Sequence, residues 1–183
     1  MRLLAALVLA GALAAPLADR AAADVADVSF PGITGGKIAL ADYAGRPVLV
    51  VNTASFCGFT GQYAGLQRVW ERYRDAGLVV IGVPTNDFNQ EPGDEADIKE
   101  FCEVNFDVDF PLTAKVATGG PERHPFFSEV AAALGERALP GWNFHKFLVG
   151  ADGEVTASWP SHVRPESAAV TDAIEAELAA AAS

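Results

Sequence analysis

The stretch Pro47-Val48-Leu49-Val50-Val51-Asn52 constrains the fold more than any other part of this chain. It is β-branched and continuously apolar, without the alternation of a half-exposed strand, so both of its faces must be covered. A second run of the same character occupies residues 78–83, and Pro84 ends it. Between the two, Leu66, Val69, Trp70 and Tyr73 fall at 3-4 spacing over 63–76, and Gly77 stands where a helix stops. Strand, helix and strand with short connections imply a right-handed parallel crossover.

The rest of the chain adds to this unit. Residues 30–40, with Gly32, Gly35 and Gly36, read as a short hairpin. Asp94 opens a helix carrying Ile98, Phe101 and Cys102, Phe110-Pro111-Leu112 is briefly extended, and 125–134 is a third helix. Lys146-Phe147-Leu148-Val149, the turn Gly150-Ala151-Asp152-Gly153 and residues 154–159 make a second hairpin. A closing helix spans 164–182, with Val170, Ile174 and Leu178 along one face. The expected fold class is α/β: a thioredoxin-like fold with a central mixed sheet flanked by helices and an N-terminal β-hairpin.

In open α/β sheets the chemistry gathers at the carboxyl ends of the strands, and Cys57 falls at such an end, in Val-Asn-Thr-Ala-Ser-Phe-Cys-Gly-Phe-Thr. A cysteine at the start of a helix meets the positive end of the helix dipole, which favours the nucleophilic thiolate. A buried, inert cysteine is the competing reading. The only other cysteine is Cys102. In an oxidising compartment the pair could form a permanent structural disulfide. His124, His145 and His162 are scattered and read as surface or capping residues, and no dense metal-ligand pattern appears.

Half of the 183 residues are hydrophobic, enough for one domain with a sizeable core. The first residues stand apart from it. Met1-Arg2, an Ala/Leu-rich run over 3–18 and Ala21-Ala22-Ala23 have the layout of a secretory signal peptide, residues 1–23. Cleavage is expected after Ala23, with Ala18 the second choice. Pro16, Asp19 and Arg20 count against a spanning anchor. The expected product is a single domain over 24–183, exported to a periplasmic or extracellular space without stable membrane insertion. Losing 1–23 removes Arg2, Arg20 and Asp19, so the net charge moves from −11 to −12. Such an acidic body disfavours nucleic acid and anionic membrane surfaces as partners.

Three segments together resemble the glutathione peroxidase family over roughly residues 28–180. Asn52-Thr53-Ala54-Ser55-Phe56-Cys57-Gly58-Phe59-Thr60 is similar to the family's nucleophile motif. Phe88-Asn89-Gln90-Glu91-Pro92-Gly93 is similar to the segment that holds its catalytic glutamine, and Trp142-Asn143-Phe144-His145-Lys146-Phe147-Leu148-Val149 to its Trp-Asn-Phe-x-Lys-Phe-Leu motif. The resemblance places a catalytic tetrad on Cys57, Gln90, Trp142 and Asn143. Amide and indole N–H donors at those positions would stabilise a thiolate and hold peroxide oxygen.

The resemblance implies a thiol peroxidase for hydrogen peroxide and organic hydroperoxides, with no cofactor or metal. Cysteine in place of selenocysteine implies slower chemistry. Cys102, in Lys99-Glu100-Phe101-Cys102 followed by Phe110-Pro111, matches the resolving cysteine of the thioredoxin-dependent branch. It would close a disulfide with a Cys57 sulfenic acid, to be reduced by a thioredoxin-like donor or glutathione. The short stretch between Phe127 and Trp142 implies a monomer. The chain departs from the family in having Thr85-Asn86-Asp87 before Phe88, and one residue fewer between Phe88 and Gln90. The alternatives are a thiol-disulfide oxidoreductase, for which Cys57-Gly58-Phe59-Thr60 lacks the second thiol, and a metallochaperone on the same fold, for which no well-placed histidine is visible.

Overall fold

The computed structural model describes residues 23–183. Its centre is the expected parallel pair: β3 (Val48–Thr53) and β4 (Val79–Pro84) are buried at every position and pair in register from Val48 opposite Val79 to Thr53 opposite Pro84. On the other side of β3 lies β5 (Lys146–Val149), antiparallel, and β6 (Val155–Trp159) pairs antiparallel with β5. The mixed sheet therefore runs β4-β3-β5-β6. The short strands β1 (Ser29–Pro31) and β2 (Lys37–Ala39) form a separate antiparallel hairpin.

The period of a strand divides the core in two. Leu49, Val51, Val80 and Leu148 point to one side, where they meet Leu66 and Val69 of α1 (Gln62–Tyr73), Ile98 and Cys102 of α2 (Glu95–Phe106), and Val170 and Ile174 of α4 (Ala168–Ala181). Val48, Val50, Ile81 and Phe147 point to the other, against Phe30 and against Phe126 and Phe127 of α3 (Pro125–Leu134). Each such side chain contributes about 1.5–3 kcal/mol by leaving water. The surface ion pairs, such as Arg68–Glu166 and Arg72–Glu175, contribute about 0–1 kcal/mol each. Apolar burial on the two faces of β3 holds the molecule together.

Three elements differ from the sequence expectation. The closing helix begins at Ala168, because Pro165 keeps Arg164 out of helical conformation and residues 160–167 form successive turns instead. The helix after β3 stops at Tyr73, continues as a 3₁₀ turn over Arg74–Ala76, and ends at Gly77 with φ 116°. The extended piece at 110–112 is an added edge beside β4: Gly82 donates to Pro111 O (2.9 Å) and accepts from Thr113 N–H (2.9 Å). Of the expected leader 1–23, residues 1–22 lie outside the described residues. Ala23 is buried, and its carbonyl accepts from Val155 N–H (2.9 Å). Cleavage after Ala18 keeps that bond, and cleavage after Ala23 gives it up.

The close approach at Gly82 has a measurable consequence. A Cβ there would stand 2.6 Å from Leu112 Cδ2 and 3.2 Å from Phe110 Cε2. Gly82→Ala should cost about 2 kcal/mol by overpacking and lower Tm by roughly 4–8 °C. An unchanged melting curve would show that this edge is not packed as described.

Candidate active site

Cys57 follows β3 by four residues. Ala54 and Ser55 are buried, Phe56 projects into solvent at 66 % exposure, and Cys57 turns back at 8 %. Thr60 fixes this turn: its hydroxyl accepts from Cys57 N–H (3.0 Å) and donates to Cys57 O (2.5 Å). The chain then passes through Phe59 and Thr60 into α1, and the Phe59 N–H donates to Cys57 Sγ at 3.4 Å. The sulfur thus has a backbone donor and stands just ahead of a helix N-terminus.

The neighbouring strand end is held by Asn52, fully buried in β3. Its Nδ2 donates to Trp142 O (3.2 Å), and its Oδ1 accepts from His145 N–H (2.9 Å). Its carbonyl accepts from Phe144 N–H (2.6 Å), and its own N–H donates to His145 O (3.2 Å). Phe144 takes a left-handed conformation, φ 64°, which for a side chain with a Cβ costs about 1–2 kcal/mol. The cost is offset by full burial of the ring edge-on against Tyr63, centroids 5.2 Å apart. This bend presents Asn143 to the third segment: Asn143 Nδ2 donates to Gln90 Oε1 at 2.9 Å. Trp142 is 40 % exposed and packs on Phe88, ring centroids 5.2 Å apart.

The Gln90 segment is fastened to the Cys57 turn. Phe56 N–H donates to Gln90 O (3.0 Å), and Glu91 accepts from both the N–H (2.7 Å) and the hydroxyl (3.1 Å) of Ser55. The shortened stretch after Phe88 is taken up by Asn89 at φ 56°, whose N–H closes a turn onto Asn86 O (2.9 Å). Asp87 anchors the same loop by accepting from Thr118 N–H and hydroxyl and from Gly119 N–H, at 2.6, 2.8 and 3.1 Å. A groove of about 360 Å³ opens beside the turn, with Phe56, Pro92, Ile98 and Phe101 among its walls.

Of the residues singled out in the sequence, Gln90 and Asn143 are thus joined directly, with Trp142 and Cys57 at the adjoining strand ends. Cys102 stands apart on the inner face of α2, fully buried, and burial pushes its thiol up to about 11. Both cysteines are free. The histidines divide: His124 caps α3 by accepting from Phe126 N–H (3.3 Å), and His162 is exposed. His145 is instead buried against Phe147, and burial, with the neighbouring Lys146, holds it down at about 4. Sequence reasoning assigned no role to Asn52, Ser55, Thr60, Glu91 or Lys146. The signal for Asn52 was a polar residue ending a wholly apolar strand. Lys146 offered a similar one: a lysine inside an apolar run, here fully buried with Nζ on Phe144 O (2.6 Å).

A sequence model of the glutathione peroxidase family matches residues 25–131. A hydroperoxy fatty acid reductase of Synechocystis is 44 % identical over 150 residues, covering 77 % of this chain and 89 % of that protein. A glutathione peroxidase-like peroxiredoxin of Chlamydomonas reinhardtii is 41 % identical over 145 residues, covering 78 % and 90 %. The crystal structure of Trgpx in apo form superposes with a TM-score of 0.65 at 31 % identity, covering 85 % of this chain and 96 % of that one. The chain belongs to the glutathione peroxidase family, and its fold is thioredoxin-like.

Two measurements test this geometry. Asn52→Ala leaves the buried His145 N–H without its partner and should cost about 3 kcal/mol. By misplacing residues 142 and 143 it should also cut kcat/KM for peroxide roughly 100-fold; a variant of wild-type activity would remove Asn52 from the account. The second concerns Lys146, which burial pushes down to about 7. Between pH 7 and 9 the unfolded chain keeps a proton on this lysine that the folded chain releases, so the group makes stability rise with pH there. Denaturant titrations of wild type and Lys146→Met should diverge by on the order of 2 kcal/mol across that window, and parallel curves would refute the burial effect.

Proposed function

We propose that Cys57 is the peroxide-attacking sulfur of this enzyme. Family membership makes the chain a thiol peroxidase acting on hydroperoxides. The observation that assigns the chemistry to Cys57 is its setting: a sulfur at the end of the innermost strand, accepting the Phe59 N–H, fastened through Phe56 and Ser55 to the segment whose Gln90 meets Asn143. The thiolate attacks one peroxide oxygen, the O–O bond breaks, and the departing oxygen takes a proton to leave as alcohol or water. Cys57 is left as a sulfenic acid. Gln90 spends its carbonyl oxygen on Asn143, which reserves its N–H₂ for the sulfur or the departing oxygen. Trp142 contributes the indole N–H from the exposed side. Hydrogen peroxide and organic hydroperoxides are the substrates, and the apolar groove walled by Phe56, Pro92, Ile98 and Phe101, beside the turn that carries Cys57, is a place for an acyl chain.

Cys102 is the resolving cysteine in this reading. A disulfide needs the two Cα atoms within about 7 Å, and Cys102 faces the core from the middle of a helix. In this reading helix α2 unwinds locally during turnover to bring Cys102 out of the core to Cys57. It is suited to do so, since Ile98 and Cys102 are its only fully buried side chains. A thioredoxin-like dithiol or glutathione then reduces the bridge by exchange. The leader-like residues 1–23 and the acidic body support an exported protein in a periplasmic or extracellular space, free of stable membrane insertion and of nucleic acid, and the short stretch between Phe127 and Trp142 supports a monomer. Among the described residues no helix is long and apolar enough to cross a membrane.

Peroxide consumption with a thioredoxin system and with glutathione should disappear in Cys57→Ser. In Cys102→Ser it should fail with the dithiol donor while one equivalent of peroxide is still reduced. Undiminished turnover of Cys57→Ser would overturn the assignment. Hydrogen exchange should be faster in the amides of Glu95–Phe106 in the oxidised than in the reduced protein, and equal protection would rule out the unwinding step.

A further inference from the structure

Cys57 is flanked by two clefts of opposite character. The residues before it, Ser55 and Phe56, belong to the apolar groove of about 360 Å³ that reaches Ile98 and Phe101. The residues after it, Gly58 and Phe59, belong to a second cleft of about 290 Å³, walled also by Gln62 and Arg68 of α1 and by His162, Arg164 and Glu166 from the turns before α4. Phe56 and Phe59 are both exposed. They stand three residues apart, so at most about 11 Å of backbone separates the two clefts. A ligand lying across Cys57 has one end in each.

The second cleft is basic on a molecule that is not. The chain carries 13 Lys and Arg against 24 Asp and Glu, yet this cleft sets two guanidiniums against the one carboxylate of Glu166. Glu166 is spent on Arg68, accepting from Nε (2.5 Å) and from a terminal nitrogen (2.9 Å). Arg164 enters none of the ion pairs among the described residues. His162 beside it adds a ring N–H donor. The turn that carries both is tied to α1 by Gln62, whose Nε2 donates to Ser161 O (2.6 Å). A guanidinium fork without a protein partner suits a planar carboxylate, which it can hold through two parallel hydrogen bonds.

We propose that this basic cleft takes the carboxylate of a long-chain fatty acid hydroperoxide, with Arg164 on the head, the tail in the groove between Phe56 and Phe101, and the mid-chain hydroperoxide over Cys57. This deepens, and rests on, the reading of Cys57 as the peroxide-attacking sulfur. A small peroxide needs neither cleft. An apolar wall on one side of the sulfur and an unpaired cation on the other match an amphiphile with a single charged end. The free acid fits better than a lipid held in an anionic bilayer, because the acidic body is repelled by such a surface.

The test compares linoleic acid hydroperoxide with its methyl ester, which keeps the chain and the peroxide and removes the charge. Reduced protein is mixed with each below the concentration at which micelles form, and loss of free thiol in quenched samples gives the rate without any electron donor. The acid-to-ester ratio is read within one protein, so damage to the sulfur or the fold cancels. In wild type the acid should react about tenfold faster, and the advantage should shrink several-fold from about 0.01 M to about 1 M salt. In Arg164→Gln the ratio should fall close to one, while Lys37→Gln, which removes the same charge from the N-terminal hairpin, should keep it. A wild-type ratio near one, or one indifferent to salt, would overturn the proposal whether or not any variant folds. So would an Arg164→Gln ratio equal to wild type, or a Lys37→Gln ratio that falls as far, since the whole molecule's field would then explain the preference. tert-Butyl hydroperoxide has neither head nor tail; a wild type that it leaves unoxidised would overturn the role of Cys57, and this proposal with it.

Discussion

Asn52 sits one residue from the end of the innermost strand, and four of its hydrogen-bonding groups reach the bend at 142–145: side-chain amide to Trp142 O, side-chain oxygen to His145 N–H, and backbone to Phe144 and His145. The residue it encircles without touching is Asn143, whose amide meets Gln90. The placement of two strand ends relative to each other is thus decided inside the core, where bonds are shielded from water and an unmade one is expensive. The left-handed Phe144 can exist only under such a clamp.

The same division of labour recurs on the other side of the Cys57 turn. Glu91 and Gln90 hold Ser55 and Phe56, Thr60 holds both ends of the Cys57 peptide unit, and Asp87 holds the loop that carries them. A rigid frame on one side of Cys57 faces α2 on the other, a helix with two fully buried side chains and a capping box at Asp94 and Asp97. The chemistry assigned to the site asks for both properties. Peroxide attack needs donors that do not move, and closing a bridge to a buried thiol needs a segment that does.

The architecture was legible because it follows from unbroken apolar runs: 48–52 and 78–83 can only be covered strands, and Leu66, Val69 and Tyr73 can only be one face of a helix. The start of the last helix was misplaced because the alanine-rich pattern runs through Pro165, and only the backbone restriction at Arg164 decides the boundary. Gln90, Trp142 and Asn143 were legible through their resemblance to a family. The bond between Gln90 and Asn143 was not, since it depends on two positive-φ residues, Asn89 and Phe144, that carry no glycine to announce them. Glu91 was visible as a letter in a motif, but its burial is a tertiary fact. So is the depth of Cys102, which a helical pattern can place on a face without saying what that face meets.

The central claim is that Cys57 and Cys102 are two halves of one peroxide-driven cycle. It is tested most directly by the intact mass and free-thiol content of the reduced protein after one equivalent of hydroperoxide. The account predicts a protein lighter by two hydrogen atoms with both thiols gone, and a dithiol reductant restoring both. A protein heavier by one oxygen atom that keeps the Cys102 thiol free would contradict the cycle, and an unchanged mass would contradict the nucleophile.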